Sequence, residues 1–196
     1  MSLSAYLEKN QVKDYEGNSG DLSKQTERLQ QLCSNIEYKN ILEIGFNAGH
    51  SAHTFLSSSL ANVVSFDLNV RESVPHAKEY IDRKFPGRHT LILGDSTQTI
   101  PEYIRSHPDA RFDLIFIDGG HTYEIAMADI MNCKSLAHAQ TVVAMDDVLF
   151  HIHLQQEWSI GPSKAWAEAA LHGTISHDSS EVYAVGRGMV WGKYKM

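Results

Sequence analysis

Five short apolar runs recur along the middle of the chain, and each stops at Gly or Asp. Asn40-Ile41-Leu42-Glu43-Ile44 stops at Gly45, Asn62-Val63-Val64-Ser65-Phe66 at Asp67, and Thr90-Leu91-Ile92-Leu93 at Gly94-Asp95. Phe112-Asp113-Leu114-Ile115-Phe116-Ile117 stops at Asp118, and Thr141-Val142-Val143-Ala144-Met145 at Asp146-Asp147. Stretches with helical character separate them: 51–60, 71–84, 97–106 and 123–136. Short apolar runs alternating with helices of this length read as βα repeats, which build a parallel sheet.

Two regions depart from the repeat. Residues 1–39 contain a loop over 15–20 and a predicted helix over 21–36, with Asp21 or Ser23 as its cap. After Gly161-Pro162 the pattern predicts a helix from Ser163 to Leu171, then Thr174-Ile175-Ser176 and a long strand-like segment, Val182 to Tyr194. The alternation in that last segment predicts a closing antiparallel pair, which a nicotinamide-binding sheet does not usually have. No linker or internal repeat divides the 196 residues. The expectation is one domain over 1–196, with 1–39 as a helical cover and 40–196 as the core.

Composition enters as an exclusion. A formal net charge of -7 argues against a surface built for nucleic acid or an acidic membrane. No window reaches the roughly 18 apolar residues of a membrane span. Cys33 and Cys133 lie far apart without a CxxC spacing, which suits buried thiols in a reducing compartment. A soluble, cytoplasmic protein is expected, and self-association into a homo-oligomer stays open.

The acids fall in a telling place. Asp67, Asp95, Asp118, Asp146 and Asp147 all lie at or just beyond the carboxyl end of a predicted strand. In an open α/β sheet that edge binds ligands, at the point where strand order reverses. Aspartate also ends strands and caps helices for purely local reasons. The first loop, Gly45-Phe46-Asn47-Ala48-Gly49, has glycines spaced to let backbone approach a ligand, but lacks the Gly-x-Gly-x-x-Gly dinucleotide fingerprint. Asp67 ends the second strand, from where a carboxylate can accept both hydroxyls of a ribose. A nucleoside without a pyrophosphate suits this loop better than NAD.

Taken together, Ile-Leu-Glu-Ile-Gly-x-x-x-Gly-x-Ser, the acid closing the second strand, Gly-Asp-Ser after the third and Ile-Asp-Gly-Gly-His-x-Tyr-Glu after the fourth resemble class I S-adenosylmethionine (SAM) dependent methyltransferases. The chain looks closest to the metal-dependent O-methyltransferases of the catechol and macrolide-sugar type. The resemblance is good over residues 38–150 and holds only in outline elsewhere. It implies a Rossmann-like doubly wound sheet, mostly parallel with a C-terminal antiparallel strand, and helices on both faces. It also implies that Gly45 and Asn47 line the methionine part of SAM, with Ser51 near its carboxylate and Glu43 beneath the loop, close to the amino group. Asp67 would hold the ribose with Leu68 beside the adenine, and Gly94, Asp95 and Ser96 would frame the adenine edge. Ser51 and Ser96 also stand where a helix begins, so a capping role is open for each.

Asp118, Asp146 and Asp147 end neighbouring strands, so three carboxylates converge. Such a cluster repels itself and raises its own pKa values until a divalent cation relieves it. Oxygen donors favour Mg²⁺, or Mn²⁺ or Ca²⁺. The resembled branch takes its metal ligands from these positions, often with Asn or Glu where Asp147 stands. His121, three residues after Asp118, occupies the place of a Lys or His general base, and an imidazole can take a hydroxyl proton at neutral pH. The implied reaction is methyl transfer from SAM to a hydroxyl of a small molecule. Two other classes remain open: an oxidoreductase, using nicotinamide or an iron site made by Asp118, His121, His151 and His153, and a SAM-binding module without turnover. Trp158, Trp166 and Tyr15 are candidates for an aromatic acceptor pocket, with core packing the alternative for Trp166.

Overall fold

The computed structural model describes residues 1–13, 20, 22–35 and 37–196. Its elements are α1 (Leu3–Lys9), α2 (Ser23–Cys33), β1 (Asn40–Ile44), α3 (His50–Ser58), β2 (Asn62–Asp67), α4 (Ser73–Lys84), β3 (His89–Leu93) and α5 (Ser96–Ser106). They continue with β4 (Phe112–Ile117), α6 (Tyr123–Lys134), β5 (Ala137–Asp146), α7 (Glu157–Leu171), β6 (Ile175–Ala184) and β7 (Arg187–Tyr194). The strands form one sheet in the order β3-β2-β1-β4-β5-β7-β6. β7 pairs antiparallel with both β5 and β6 and alone runs against the others. The Rossmann-like, mostly parallel sheet with a C-terminal antiparallel strand is therefore present.

Strand side chains alternate between the two faces, and both faces are covered. Ile41, Leu114, Phe116, Ala144 and Met189 pack with Leu7, Leu29, Phe55 and Ile81 from α1 to α4. Their sequence neighbours Leu42, Ile115, Ile117, Val143 and Val190 pack on the other face with Ile100, Ile130, Trp166 and Ala169 from α5 to α7. This double burial is why the strand runs are apolar throughout instead of alternating. Truncating one such side chain, for example Phe116→Ala, removes about 3–5 kcal/mol.

The strands run outward from β1 to β3 and then return to β4, so order reverses between β1 and β4. There the strand tips are tied together. The Asp118 amide donates to the Ile44 carbonyl (2.9 Å), and the Gly45 amide to that of Phe66 (2.8 Å). Gly45 is obligatory: its φ is +90°, and a β-carbon there would lie 1.8 Å from the Asp118 carbonyl oxygen.

Three sequence expectations shift. Helix α2 starts with Ser23 as a helical residue and Leu22 in the cap position without a side-chain cap, and it ends at Cys33, three residues before the expected end. Asp21 and the 14–19 part of the loop, including Tyr15, lie outside the described residues. Helix α7 begins at Glu157 and carries Pro162 inside it, because Gln156 and Ser159 form a reciprocal capping box upstream of the Gly-Pro pair. The Val182–Tyr194 segment is the end of β6, a turn at Gly186 (φ +74°) and β7. No helix among the described residues is long and apolar enough to cross a membrane.

Candidate functional site

A cavity of about 680 Å³ opens along the carboxyl edge of the sheet. Gly45, Asn47, Asp67, Leu68, Gly94, Asp95 and Ser96 line one end, and Asp118, His121, Asp147, Trp158 and Arg187 the other. Its position follows from topology: loops leaving β1 and β4 diverge to opposite faces at the switch point and leave a crevice between them.

Asp67 organises the first end. Its Oδ2 accepts hydrogen bonds from the Phe46 (2.9 Å) and Asn47 (2.8 Å) amides, and its Oδ1 accepts one from the Asn69 amide (2.7 Å). The carboxylate thus holds the β1–α3 loop to the β2 tip while facing the cavity. Asn47 itself has a left-handed backbone (φ +44°), and its Oδ1 accepts from Ser73 Oγ (2.9 Å). Leu68 is 60% exposed at the rim. Asp95 caps α5, accepting from the Thr97 amide and hydroxyl, while Ser96 is the first residue of that helix.

Glu43 and Ser51 lie behind the wall instead of on it. Glu43 is fully buried, and its carboxyl oxygens accept hydrogen bonds from Ser51 Oγ and Ser65 Oγ. Burial pushes the Glu43 carboxyl up to about 7, opposed by the two hydroxyls and reinforced by the Asp67 charge. Ser65 Oγ also meets His89 Nε2 at 2.9 Å, and the His89 ring stacks on Phe46. Neither Glu43 nor Ser51 reaches the cavity, so both support the loop from beneath.

The other end gathers acids and a histidine. Asp118, His121 and Asp147 each present a potential ligand atom, all within 4.8 Å of one another. His121 Nε2 lies 3.3 Å from Asp147 Oδ2. Asp147 has φ +57°, a conformation sparsely used by non-glycine residues, which turns its carboxylate away from the direction of β5. Asp146 does not join this set. It is buried, and its Oδ2 accepts a 2.5 Å hydrogen bond from Gln25 Nε2 of α2. Asp146 is the last residue of β5, whereas Asp147 lies beyond the strand with its left-handed backbone and lines the cavity.

The electrostatics suit a cation. Burial and the Asp146 and Asp147 charges push the Asp118 carboxyl well above the usual carboxylate range, against the pull of Arg187. Burial and Asp147 push Asp146 up to about 7, again opposed by Arg187 and by the hydrogen bonds it accepts. Asp146 Oδ1 and Asp147 Oδ1 are buried and accept no hydrogen bond. The carboxylates of Asp118 and Asp147, converging within 4.8 Å, are oxygen donors of the kind a divalent ion satisfies.

Among the described residues, no metal-ligating group includes His151 or His153, and both lie exposed around the 3-10 turn Ile152–Leu154. The histidine iron site considered from the sequence is therefore not assembled. Trp158 lines the cavity, with Nε1 donating to the Gly186 carbonyl (3.0 Å), whereas Trp166 is fully buried in the core.

The sequence reading missed Arg187, Gln25 and Gly161. Arg187 stands between Gly186 and Gly188 at the start of β7, a charged residue ahead of the apolar Met189-Val190-Trp191 run. A β-carbon at Gly161 would lie 2.2 Å from the His121 carbonyl, so α7 packs directly on the loop that carries His121. Gln25 gave no local signal.

The chain matches the family described as a methyltransferase domain over residues 42–148. It belongs to that family. No curated protein sequence matches it. Among solved structures, the O-methyltransferase from Bacillus cereus in complex with SAH is similar, at 21% identity and a TM-score of 0.78, over 98% of this chain and 90% of that one. A putative caffeoyl-CoA O-methyltransferase from Staphylococcus aureus is 19% identical, with a TM-score of 0.72 over 97% and 90% of the two chains. The O-methyltransferase TomG from Streptomyces achromogenes, in complex with SAM, is 16% identical, with a TM-score of 0.75 over 99% and 88%. At these identities the likeness establishes a shared fold. The part matched to the methyltransferase-domain family contains every strand tip from Gly45 to Asp147. Gln25, Trp158 and Arg187, which complete the acidic end, lie outside it.

Proposed function

We propose that the chain, as one methyltransferase domain, transfers a methyl group from S-adenosylmethionine to a hydroxyl oxygen of a small molecule, with a divalent cation at the acidic end. The observation that carries this reading is a single cavity lined by Asp67 and Asp95 at one end and by the Asp118, His121 and Asp147 set at the other. A nucleoside-sized group and an acceptor oxygen then meet beside the β1 and β4 tips. O-methyltransferases with bound SAH or SAM share the fold, which supports the reading.

In this mechanism the β1–α3 loop and Asp67 orient the adenosyl group, whose sulfonium supplies an already activated methyl. Asp118 and Asp147 would hold the cation, with Asp146 adding charge from behind. Mg²⁺, Mn²⁺ or Ca²⁺ suits these donors and would supply Lewis acidity toward the acceptor hydroxyl. His121 takes the hydroxyl proton at Nε2, and Asp147, 3.3 Å away, stabilises the imidazolium that forms. Trp158, at the start of α7, forms part of the wall at that end.

A thermal-shift series with SAM, SAH and NAD, each with and without Mg²⁺, tests the proposal. SAM and SAH should raise the melting temperature, and Mg²⁺ should add a further rise that Asp118→Asn removes. A shift with NAD alone would point to oxidoreductase chemistry, and full methyl transfer in excess chelator would overturn the cation.

A further inference from the structure

Gln25 is fully buried in the first turn of α2, and both ends of its amide are used. Nε2 donates to Asp146 Oδ2 (2.5 Å), and Oε1 accepts from Arg187 Nη2 (3.0 Å). Arg187 Nε lies 3.6 Å from Asp147 Oδ1. The four side chains form a loop that begins and ends on consecutive residues: Asp146, Gln25, Arg187, Asp147. The amide donates to a carboxylate at one end and accepts from a guanidinium at the other; an ionised carboxylate here would offer no donor, and an ammonium no acceptor. The helix does not need this loop to dock. Leu29 and Cys33 are buried in the core, and Arg28 pairs with Glu181 and lies over the Trp191 ring.

We propose that Gln25 is a positioning residue of the acidic cluster. It binds Asp146 into the scaffold and holds Arg187 where it steadies Asp147, so that Asp147 faces Asp118 and His121 across the cavity. Helix α2 is thereby part of the site's construction. This assignment rests on the cation reading above.

The test uses Mn²⁺ alone as probe, followed by electron paramagnetic resonance, with calorimetric titration of SAH on the same full-length proteins. Gln25→Met keeps an unbranched side chain of similar length and removes both hydrogen bonds; Gln25→Asn keeps the amide but is one methylene too short to span both partners. Each should weaken Mn²⁺ binding about tenfold or more, the size seen when a group orienting a metal ligand is lost. SAH affinity should stay within about twofold, because Gln25 touches nothing at the adenosyl end; a parallel loss there would mean general loosening and would overturn the assignment. In an Asp146→Ala background, where one of its two partners is gone, the Gln25→Met effect should be smaller than in the parent, whereas a role unconnected to Asp146 would keep its full size. Unchanged Mn²⁺ affinity in both variants overturns the Gln25 assignment alone. A parent protein that leaves the Mn²⁺ spectrum as that of the free ion overturns the cation reading, and the Gln25 assignment falls with it.

Discussion

Replacing Asp67 by Ala separates its loop-anchoring role from the proposed ribose contact. In the ligand-free chain its oxygens accept three backbone hydrogen bonds, from Phe46, Asn47 and Asn69. Phe46 is 1% exposed, so water cannot fully replace the lost acceptor there, whereas Asn69 is exposed and its amide can be rehydrated. Allowing about 1–1.5 kcal/mol for each of the two loop bonds and less for the third gives a loss of about 2–3 kcal/mol. For a chain of this size that lowers the melting temperature by about 5–10 °C. Asp67→Asn keeps one acceptor oxygen and should lose roughly half as much. Urea unfolding of the ligand-free proteins measures this directly, and calorimetric titration of SAH then shows the additional loss of ribose binding. A ligand-free stability for Asp67→Ala within about 0.5 kcal/mol of the parent would refute the loop-anchoring role, since surface substitutions without special contacts fall in that range.

His121→Ala should lower the methyl-transfer rate by about 10²–10⁴-fold, the usual contribution of a general base, with SAH affinity within about twofold of the parent. An unchanged rate would reduce His121 to a structural neighbour of Asp147. Burial pushes the Asp129 carboxyl up to about 7, opposed by the Ser96 hydroxyl and reinforced by Asp95. An unfolded Asp titrates near about 3.9, so between the two values the folded chain holds a proton that the unfolded chain has released. Stability should then fall as pH rises through that window, by at most about 1.4 kcal/mol per pH unit from this group. Asp129→Asn should flatten the slope in denaturation measured from pH 4 to 8; the same slope in both proteins would show that Asp129 is ionised in the fold.

The strand runs and their terminating acids were legible because the physics behind them is local. Strands buried on both faces must be apolar over consecutive positions, and a parallel sheet must deliver every βα loop to one edge. The Gly45 turn, the Asp67 and Asp118 tips and the closing antiparallel strand follow from that pattern. Helix limits were less legible where two signals competed, as at α7, where a capping box upstream outweighed Gly161-Pro162. Glu43 and Ser51 show another limit. Their spacing puts them near the loop, but which way each side chain faces depends on the hydroxyl of Ser65 on the neighbouring strand.

By itself the sequence determined that a parallel sheet would carry five carboxylates on its ligand-binding edge, because strand length, apolarity and turn residues are written in contiguous stretches. Only the tertiary structure decided which of two adjacent acids faces the cavity. Asp146 is bonded to Gln25 and Asp147 lies beside Arg187, partners 121 residues before the one and 40 residues after the other. A buried carboxyl turns toward whatever donor the fold brings within hydrogen-bonding reach, and no local pattern records a partner that distant.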